Sequence, residues 1–152
     1  MDRTLDKTPH ITVEQYLALK KKKKKNKFSA EKQHTMNGVK CDSKAEASLG
    51  TALELMEKAK EIEDLQYHTR IEIMPGFYWR VDFNAIDLKS GVREYHEFKG
   101  VESHGYRLQK AAWKLLGPGP LHIYKGEADY YRLVETVIPN VQSFKDWLLQ
   151  NR

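Results

Sequence analysis

The sequence lacks the features that would place it among disulfide-stabilised, zinc-cluster or membrane proteins. Cys41 is its only cysteine, which excludes a disulfide framework and a cysteine zinc cluster and favours a reducing cytoplasm. No apolar run is long enough to span a bilayer, and the N-terminus has no apolar stretch like that of a signal peptide. We therefore expect a cytoplasmic protein with no membrane partner.

The motifs of several enzyme classes are also missing. There is no G-x-x-x-x-G-K-[S/T] loop, so ATP-driven activity is not indicated. The H-E-x-x-H helix of zinc proteases is absent, and the remaining histidines show no metal-binding spacing. With 152 residues, of which 40% are hydrophobic, the chain nevertheless has the size and composition of one globular domain.

Positive charge is concentrated near the N-terminus. Residues 1–27 carry a net charge of +6 within a chain total of +5, so residues 28–152 are close to neutral and form the expected folded domain. The arm contains a run of six lysines, namely Lys20, Lys21, Lys22, Lys23, Lys24 and Lys25. Such a run can bind a DNA backbone by counterion release without reading its sequence. A flexible solubilising arm is an equally good interpretation.

The pattern of residues 34–74 predicts a hairpin, a helix and a strand. Asn37-Gly38 is a strong hairpin signal. Ser43 then opens a helix with one apolar stripe. In residues 65–73, apolar and polar residues alternate as in a half-buried strand, which places Gln66 and His68 together on the polar side.

The second half of the chain predicts a sheet that is completed through a helical crossover. Two strands flank Ser90-Gly91, a helix ends at Gly117, a short strand follows, and residues 126–152 are expected to be helical. The order helix, three-strand meander, helix, strand predicts an α/β fold with a mixed sheet flanked by helices.

Three polar residues of the stretch VDFNAIDLKSGVREYHEFKG are expected to share one face of a hairpin. If Ser90-Gly91 is a two-residue turn, Asp82 lies opposite Lys99 and Asn84 lies opposite Glu97. Asp82 and Glu97 are then diagonal neighbours, within reach of a shared cation. Paired carboxylates favour a hard ion such as Mg²⁺, and a nearby lysine can act on a water or a phosphate. A cross-strand ion pair is the alternative interpretation of the same three residues.

These residues resemble the signature of a nuclease superfamily. "VDF" followed after a hairpin by "EFKG" is similar to the D…(D/E)-x-K pattern of the PD-(D/E)XK nucleases. The stretch "NGVKCDSKAEASL" resembles a small phage-encoded family of unknown function within that superfamily, and the resemblance covers about residues 26–125. It implies a restriction-endonuclease-like αβββαβ core. Val81 stands where many members have proline, and His68 stands where a glutamine is expected.

The resemblance implies a role for each residue of the signature. Asp82 and Glu97 would bind Mg²⁺, for which Mn²⁺ could substitute, and Lys99 would act on the attacking water. Glu46 matches an acidic residue that many of these nucleases contribute from the first helix. Glu46 also completes an S-x-x-E capping box in which it would accept a hydrogen bond from the backbone N–H of Ser43, so both roles stay open.

Further candidates for nucleic-acid contacts are less specific. Gln66 and His68 could position a phosphate, or could be an ordinary exposed strand face. Arg107, Lys110 and Lys114 recur at helical spacing, on the predicted face opposite Leu108 and Leu115, and could contact DNA as in similar nucleases. A solvated helix face explains the same pattern.

We therefore predict a Mg²⁺-dependent DNA endonuclease in the cytoplasm of a phage or prophage host. Because nothing in the signature reads bases, its substrate would be chosen by shape, as in a Holliday-junction resolvase acting on duplex, branched or junction DNA. Symmetric resolution of a junction would require a homodimer. The alternatives are a non-catalytic DNA- or protein-binding module that retains the fold, and an RNA-acting nuclease.

Overall fold

The structure, a computed structural model, describes residues 33–127 and 130–140. The lysine run of the N-terminal arm and residues 141–152 lie outside the described residues. The described elements are a hairpin of β1 (Gln33–His34) and β2 (Lys40–Cys41), helix α1 (Lys44–Lys58), strands β3 (Ile62–Met74), β4 (Phe77–Asp87) and β5 (Arg93–Phe98), helix α2 (His104–Leu116), and strands β6 (Leu121–Glu127) and β7 (Tyr130–Val137). Neither described helix is long and apolar enough to cross a membrane.

Strands β3 to β7 form one mixed sheet of five strands in sequence order. Strand β5 runs parallel to β6, because α2 provides the crossover between them, and the other neighbours are antiparallel. The predicted α/β fold with a meander and a helical crossover is confirmed. The prediction of helix throughout residues 126–152 is wrong, since residues 130–137 pair with β6 as strand β7. Aromatic and β-branched residues in this segment favour a strand.

The sheet separates two hydrophobic clusters, one beneath each helix. The cluster beneath α2 contains Trp113, which makes edge-to-face contacts with Trp79 and Tyr95 at ring-centroid distances of 5.5 and 4.9 Å. The cluster beneath α1 contains Leu49 and Phe83. Helix α1 lies very close to the sheet at Gly50, where an added Cβ would come within 2.8 Å of the Phe83 ring.

The alternation of β3 is interrupted at His68. This residue has a left-handed φ of +50°, which is unusual for a residue with a Cβ. Before it, Tyr67 pairs with Phe83 and packs in the cluster beneath α1. After it, Ile71 pairs with Trp79 and packs in the cluster beneath α2. The prediction of one continuous apolar face along residues 65–73 is therefore wrong. At His68 the apolar side chains of β3 pass from one face of the sheet to the other.

The hairpin of β4 and β5 has a different register from the predicted one. The backbone N–H of Asp87 bonds to the Val92 carbonyl, and the Asp87 side chain accepts a hydrogen bond from the Ser90 N–H, so the loop comprises residues 88–91. Asn84 pairs with Tyr95 rather than with Glu97. The predicted register is thus wrong by two residues. A shift of two residues leaves each side chain on the same face of the sheet. If the observed pairing is extended by one residue beyond Phe83 and His96, Asp82 lies directly opposite Glu97.

Candidate active site

Three carboxylates converge at the end of the β4–β5 hairpin. Asp82 lies in β4, Glu97 in β5 and Glu46 in the first turn of α1. Asp82 is held in place because its Oδ2 accepts a hydrogen bond of 2.7 Å from the backbone N–H of Phe98. The charges of Glu97 and Glu46 both act on Asp82, as does the positive charge of Lys99. The four side chains predicted to form the site are therefore electrostatic neighbours in the folded chain.

The pKa values of the three carboxylates are raised mainly by burial. Burial, together with the charges of Glu97 and Glu46, raises the pKa of Asp82 well above its usual range. Burial raises the pKa of Glu97 to about 7, although Lys99 and hydrogen bonding from Asp82 and Trp79 act in the opposite direction. Burial also raises the pKa of Glu46. A bound cation would relieve the repulsion and desolvation that cause these shifts.

Two oxygen atoms of the group are buried without a hydrogen-bond partner among the described residues. They are Oε1 of Glu46 and Oε2 of Glu97, in side chains of residues that are 5% and 6% exposed. Buried acceptors in folded proteins normally have a partner. All-oxygen ligands from clustered carboxylates are the donor set that Mg²⁺ prefers. The donor set therefore suits the chemistry of a hard divalent cation. Among the described residues, however, only Cys41, Glu46 and His68 have ligand atoms that all lie within 4.8 Å of one another, so the three carboxylates would have to draw closer together to share one ion.

Glu46 combines helix capping with a free ligand atom. Ser43 caps α1 by accepting a hydrogen bond from the Glu46 N–H at 3.1 Å, as predicted. The Glu46 side chain, however, accepts from the N–H of Asp42 through Oε2, also at 3.1 Å. The predicted bond to the Ser43 N–H is thus replaced by one to the preceding residue. One carboxylate oxygen is fixed by the backbone, while the other stays available for a ligand.

Lys99 lies beside the carboxylates without pairing with any of them. Its backbone N–H bonds to the Tyr124 carbonyl at 2.8 Å, and its Nζ lies 4.7 Å from the centre of the Tyr106 ring. In the part of the chain that the structure describes, no carboxylate oxygen lies within the 4.0 Å of an ion pair with Lys99. The alternative of a direct cross-strand Asp82–Lys99 ion pair therefore does not describe the arrangement.

Gln66 and His68 do not share the environment predicted for them. Gln66 donates a hydrogen bond of 3.0 Å to Asp64, away from the carboxylates. His68 instead lies next to Glu46, because the left-handed backbone interrupts the alternation between the two residues.

The predicted basic stripe of α2 is interrupted. Lys110 forms an ion pair of 2.9 Å with Glu135 of β7, while Arg107 and Lys114 are exposed. Leu108 and Leu115, expected on the buried face, are each 56% exposed, because α2 packs through Tyr106 and Trp113 instead. The predicted facing of the helix is wrong, and Arg107 and Lys114 are the members of the stripe that stay free to contact a phosphate backbone.

Two residues near the carboxylates escaped the sequence analysis. Tyr106 is buried, but its hydroxyl has no partner among the described residues, and its pKa is raised by burial and by Glu97. Cys41 lies beside Glu46, and burial with that carboxylate raises the pKa of its thiol to about 12. Sequence spacing does not predict that Tyr106 or Cys41 lies near the carboxylates, because both positions depend on the tertiary fold.

Comparison with protein-family models, with curated proteins and with solved structures gave no match.

Proposed function

We propose that this chain is a Mg²⁺-dependent DNA endonuclease with a restriction-endonuclease-like core. The observation that carries the proposal is the electrostatic proximity of Asp82, Glu97 and Glu46. Among the described residues, two of their buried oxygens have no hydrogen-bond partner and the adjacent Lys99 forms no ion pair. A structural acidic cluster would be expected to satisfy its oxygens internally. Oxygens left without a partner, on carboxylates with raised pKa values, suit a site that is completed by a cation.

Asp82, Glu97 and Glu46 would hold one or two Mg²⁺ ions. Bound Mg²⁺ would supply positive charge to a scissile phosphate and to the attacking water. Asp82 keeps its orientation through the Phe98 N–H, and Glu46 keeps its own through the Asp42 N–H. Such fixed carboxylates place a ligand without reorganisation during the reaction.

Lys99 would act on the reacting groups, since no carboxylate of the described residues neutralises it by direct contact. Its ammonium would orient the attacking water and stabilise the negative charge that develops on the phosphate. The water oxygen would bond to phosphorus as the water loses a proton to solvent, and the bond from phosphorus to the 3′ oxygen would break. The 3′ oxygen would take a proton from solvent, so the products would be a 3′-hydroxyl and a 5′-phosphate. The ring of Tyr106 supports the ammonium through a cation–π contact.

Substrate choice is proposed to depend on DNA shape rather than sequence. No element of the described site is arranged to read base edges, whereas exposed Arg107 and Lys114 and the lysine arm of residues 20–25 can contact phosphates. A branched substrate such as a four-way junction fits this pattern, with a homodimer providing two active sites. The cytoplasm of a phage or prophage host is the proposed setting.

The test is cleavage of labelled linear duplex, single strand, four-way junction and RNA duplex in Mg²⁺ or EDTA. We expect Mg²⁺-dependent cutting of DNA, strongest on the junction, that Lys99→Ala lowers by about 10²-fold or more. Lys89→Ala is the matched control, because Lys89 is an exposed lysine in the turn of the same hairpin. Binding without cutting by the wild type, in Mg²⁺ and in Mn²⁺, would instead support a non-catalytic binding module.

A further inference from the structure

A second group of potential metal ligands shares Glu46 with the carboxylate group and comes from β2, α1 and β3. Its members are Cys41 at the end of β2, Glu46 in the first turn of α1, and His68 within β3. One ligand atom of each residue lies within 4.8 Å of those of the other two. We propose that these three side chains form a binding site for a thiophilic divalent transition ion, of which Zn²⁺ is the representative. The proposal does not require the chain to be a nuclease.

The chemistry of the three ligands differs from that of the carboxylate group. A thiolate sulfur and an imidazole nitrogen are poor ligands for Mg²⁺ but favourable ones for Zn²⁺ and its neighbours in the first transition row. A mixed set of one sulfur, one nitrogen and one carboxylate oxygen leaves a fourth tetrahedral position open for water. Metal–ligand bonds of about 2.0–2.3 Å place tetrahedral ligands about 3.5 Å apart. The three ligand atoms already lie within 4.8 Å of one another, so binding would require only a small adjustment.

The oxygen of Glu46 that has no partner among the described residues points to a ligand at this place. It is the same oxygen that the carboxylate group would offer to Mg²⁺, so the two ions would either share Glu46 or compete for it. Glu46 is 5% exposed, and its Oε1 has no hydrogen-bond partner among the described residues. Its Oε2 is bound to the N–H of Asp42, the residue directly after Cys41. The same short segment that carries the sulfur thus fixes the carboxylate, which gives the two ligands a defined relationship before any metal binds.

One ring nitrogen of His68 is engaged by the backbone. Its Nε2 lies 3.1 Å from the carbonyl oxygen of Lys40, the residue directly before Cys41. When Nε2 donates its hydrogen to that carbonyl, the lone pair of the ring lies on Nδ1. Metal-ligating histidines usually donate their other ring N–H to a carbonyl or carboxylate in this way. The left-handed backbone at His68, with φ of +50°, is the feature that takes the ring out of the regular strand alternation.

The direct test is a titration of the full-length, untagged and reduced protein with Co²⁺, followed by displacement with Zn²⁺. Thiolate ligation of Co²⁺ gives an intense sulfur-to-metal absorption band, and tetrahedral ligation gives strong visible bands. We expect both bands to saturate at one equivalent and to disappear when Zn²⁺ is added. Absence of the thiolate band in the folded wild type would overturn the proposal.

Variants separate this site from the neighbouring carboxylate group. Cys41→Ser should abolish the thiolate band, and His68→Gln should weaken Co²⁺ binding by about tenfold or more, with the fold verified by circular dichroism. Glu97→Gln and His104→Gln should leave the band unchanged, since neither residue belongs to the cluster. Unchanged affinity in His68→Gln would also overturn the proposal, even if Cys41→Ser failed to fold.

Discussion

The carboxylate of Asp82 accepts a 2.7 Å hydrogen bond from the backbone N–H of Phe98. Phe98 is the last residue of β5 and stands between Glu97 and Lys99, so this one bond connects β4 to the segment that carries the other two residues of the signature. The bond also opposes the rise in the pKa of Asp82 that burial and neighbouring charges cause. The geometry of the group is therefore set by the backbone, whereas its electrostatics are left unfavourable in the absence of a cation.

Asp82→Asn should stabilise the metal-free protein at alkaline pH. The pKa values of Asp82 and Glu97 are raised in the folded state, that of Glu97 from 4.5 to about 7. Between these values the folded chain holds protons that the unfolded chain has released, so the free energy of unfolding decreases as the pH rises through this range. Asparagine cannot ionise, so the variant avoids the part of this decrease in stability that Asp82 causes. We expect the Tm to exceed that of the wild type by about 3–5 °C near pH 8, and by less near pH 5.

Asp87→Asn is the control for that measurement. Asp87 lies in the same hairpin, but its pKa is lowered because its side chain accepts hydrogen bonds at Ser90. The same substitution should therefore leave the Tm unchanged or lower it. Equal Tm shifts in the two variants would contradict the repulsion inferred at Asp82.

His96 should make the protein sensitive to acid. Burial, with the neighbouring charge of His122, lowers the pKa of His96 from its usual 6.5 to about 3. Between these values the unfolded chain binds a proton that the folded chain does not, so stability falls as pH falls. The loss is about 2 kcal/mol by pH 5. Because Asp82 and Glu97 shift stability in the opposite direction over this pH range, the effect of His96 is measured as a difference between variants. The change in the free energy of unfolding from about pH 7 to pH 5, measured by urea denaturation, should be less favourable by about 2 kcal/mol in the wild type and in exposed His104→Gln than in His96→Gln.

Glu46→Gln and Ser43→Ala should separate the ligand role of Glu46 from helix capping. Glutamine retains an acceptor for the Asp42 N–H but carries no charge, so stability should be kept while Mg²⁺-dependent cleavage is lost. Ser43→Ala removes the cap of α1 and should cost about 1 kcal/mol of stability with cleavage retained. If Glu46→Gln cleaves DNA as well as the wild type does, Glu46 is not a metal ligand and serves only in helix capping.

Tyr106→Phe should preserve cleavage and increase stability. The buried hydroxyl of Tyr106 has no partner among the described residues, and leaving such a group unsatisfied costs about 1 kcal/mol or more. Phenylalanine keeps the ring that faces the Lys99 ammonium at 4.7 Å. Thermal denaturation and the cleavage assay together check this expectation. A large loss of cleavage would show that the hydroxyl itself takes part in the reaction.

The elements that local signals determine could be predicted from the sequence. The Asn37-Gly38 hairpin, the Ser43 cap of α1 and the end of α2 at Gly117 each depend on the conformational preferences of a few adjacent residues, and all three are present. The segment of residues 130–137 was misjudged, because its pairing with β6 is a long-range interaction that no local pattern reveals.

The site could be predicted only in part, for two physical reasons. The register of the β4–β5 hairpin depends on how Asp87 closes the loop through its side chain, which turn residues alone did not indicate. Asp82 and Glu97 still share a face because the error was an even number of residues. The position of His68 beside Cys41 and Glu46 depends on one left-handed residue within a strand, and no sequence signal marks it.

Calorimetric titration of the full-length protein with Mg²⁺ and with Mn²⁺ tests most directly whether the three carboxylates form a cation site. We predict binding in the wild type and in Asp87→Asn, and loss of that binding in both Asp82→Asn and Glu97→Gln. If neither ion binds the wild type, or if Asp82→Asn and Glu97→Gln bind as well as Asp87→Asn does, the carboxylates are not a cation site. The proposed hydrolytic function is then contradicted.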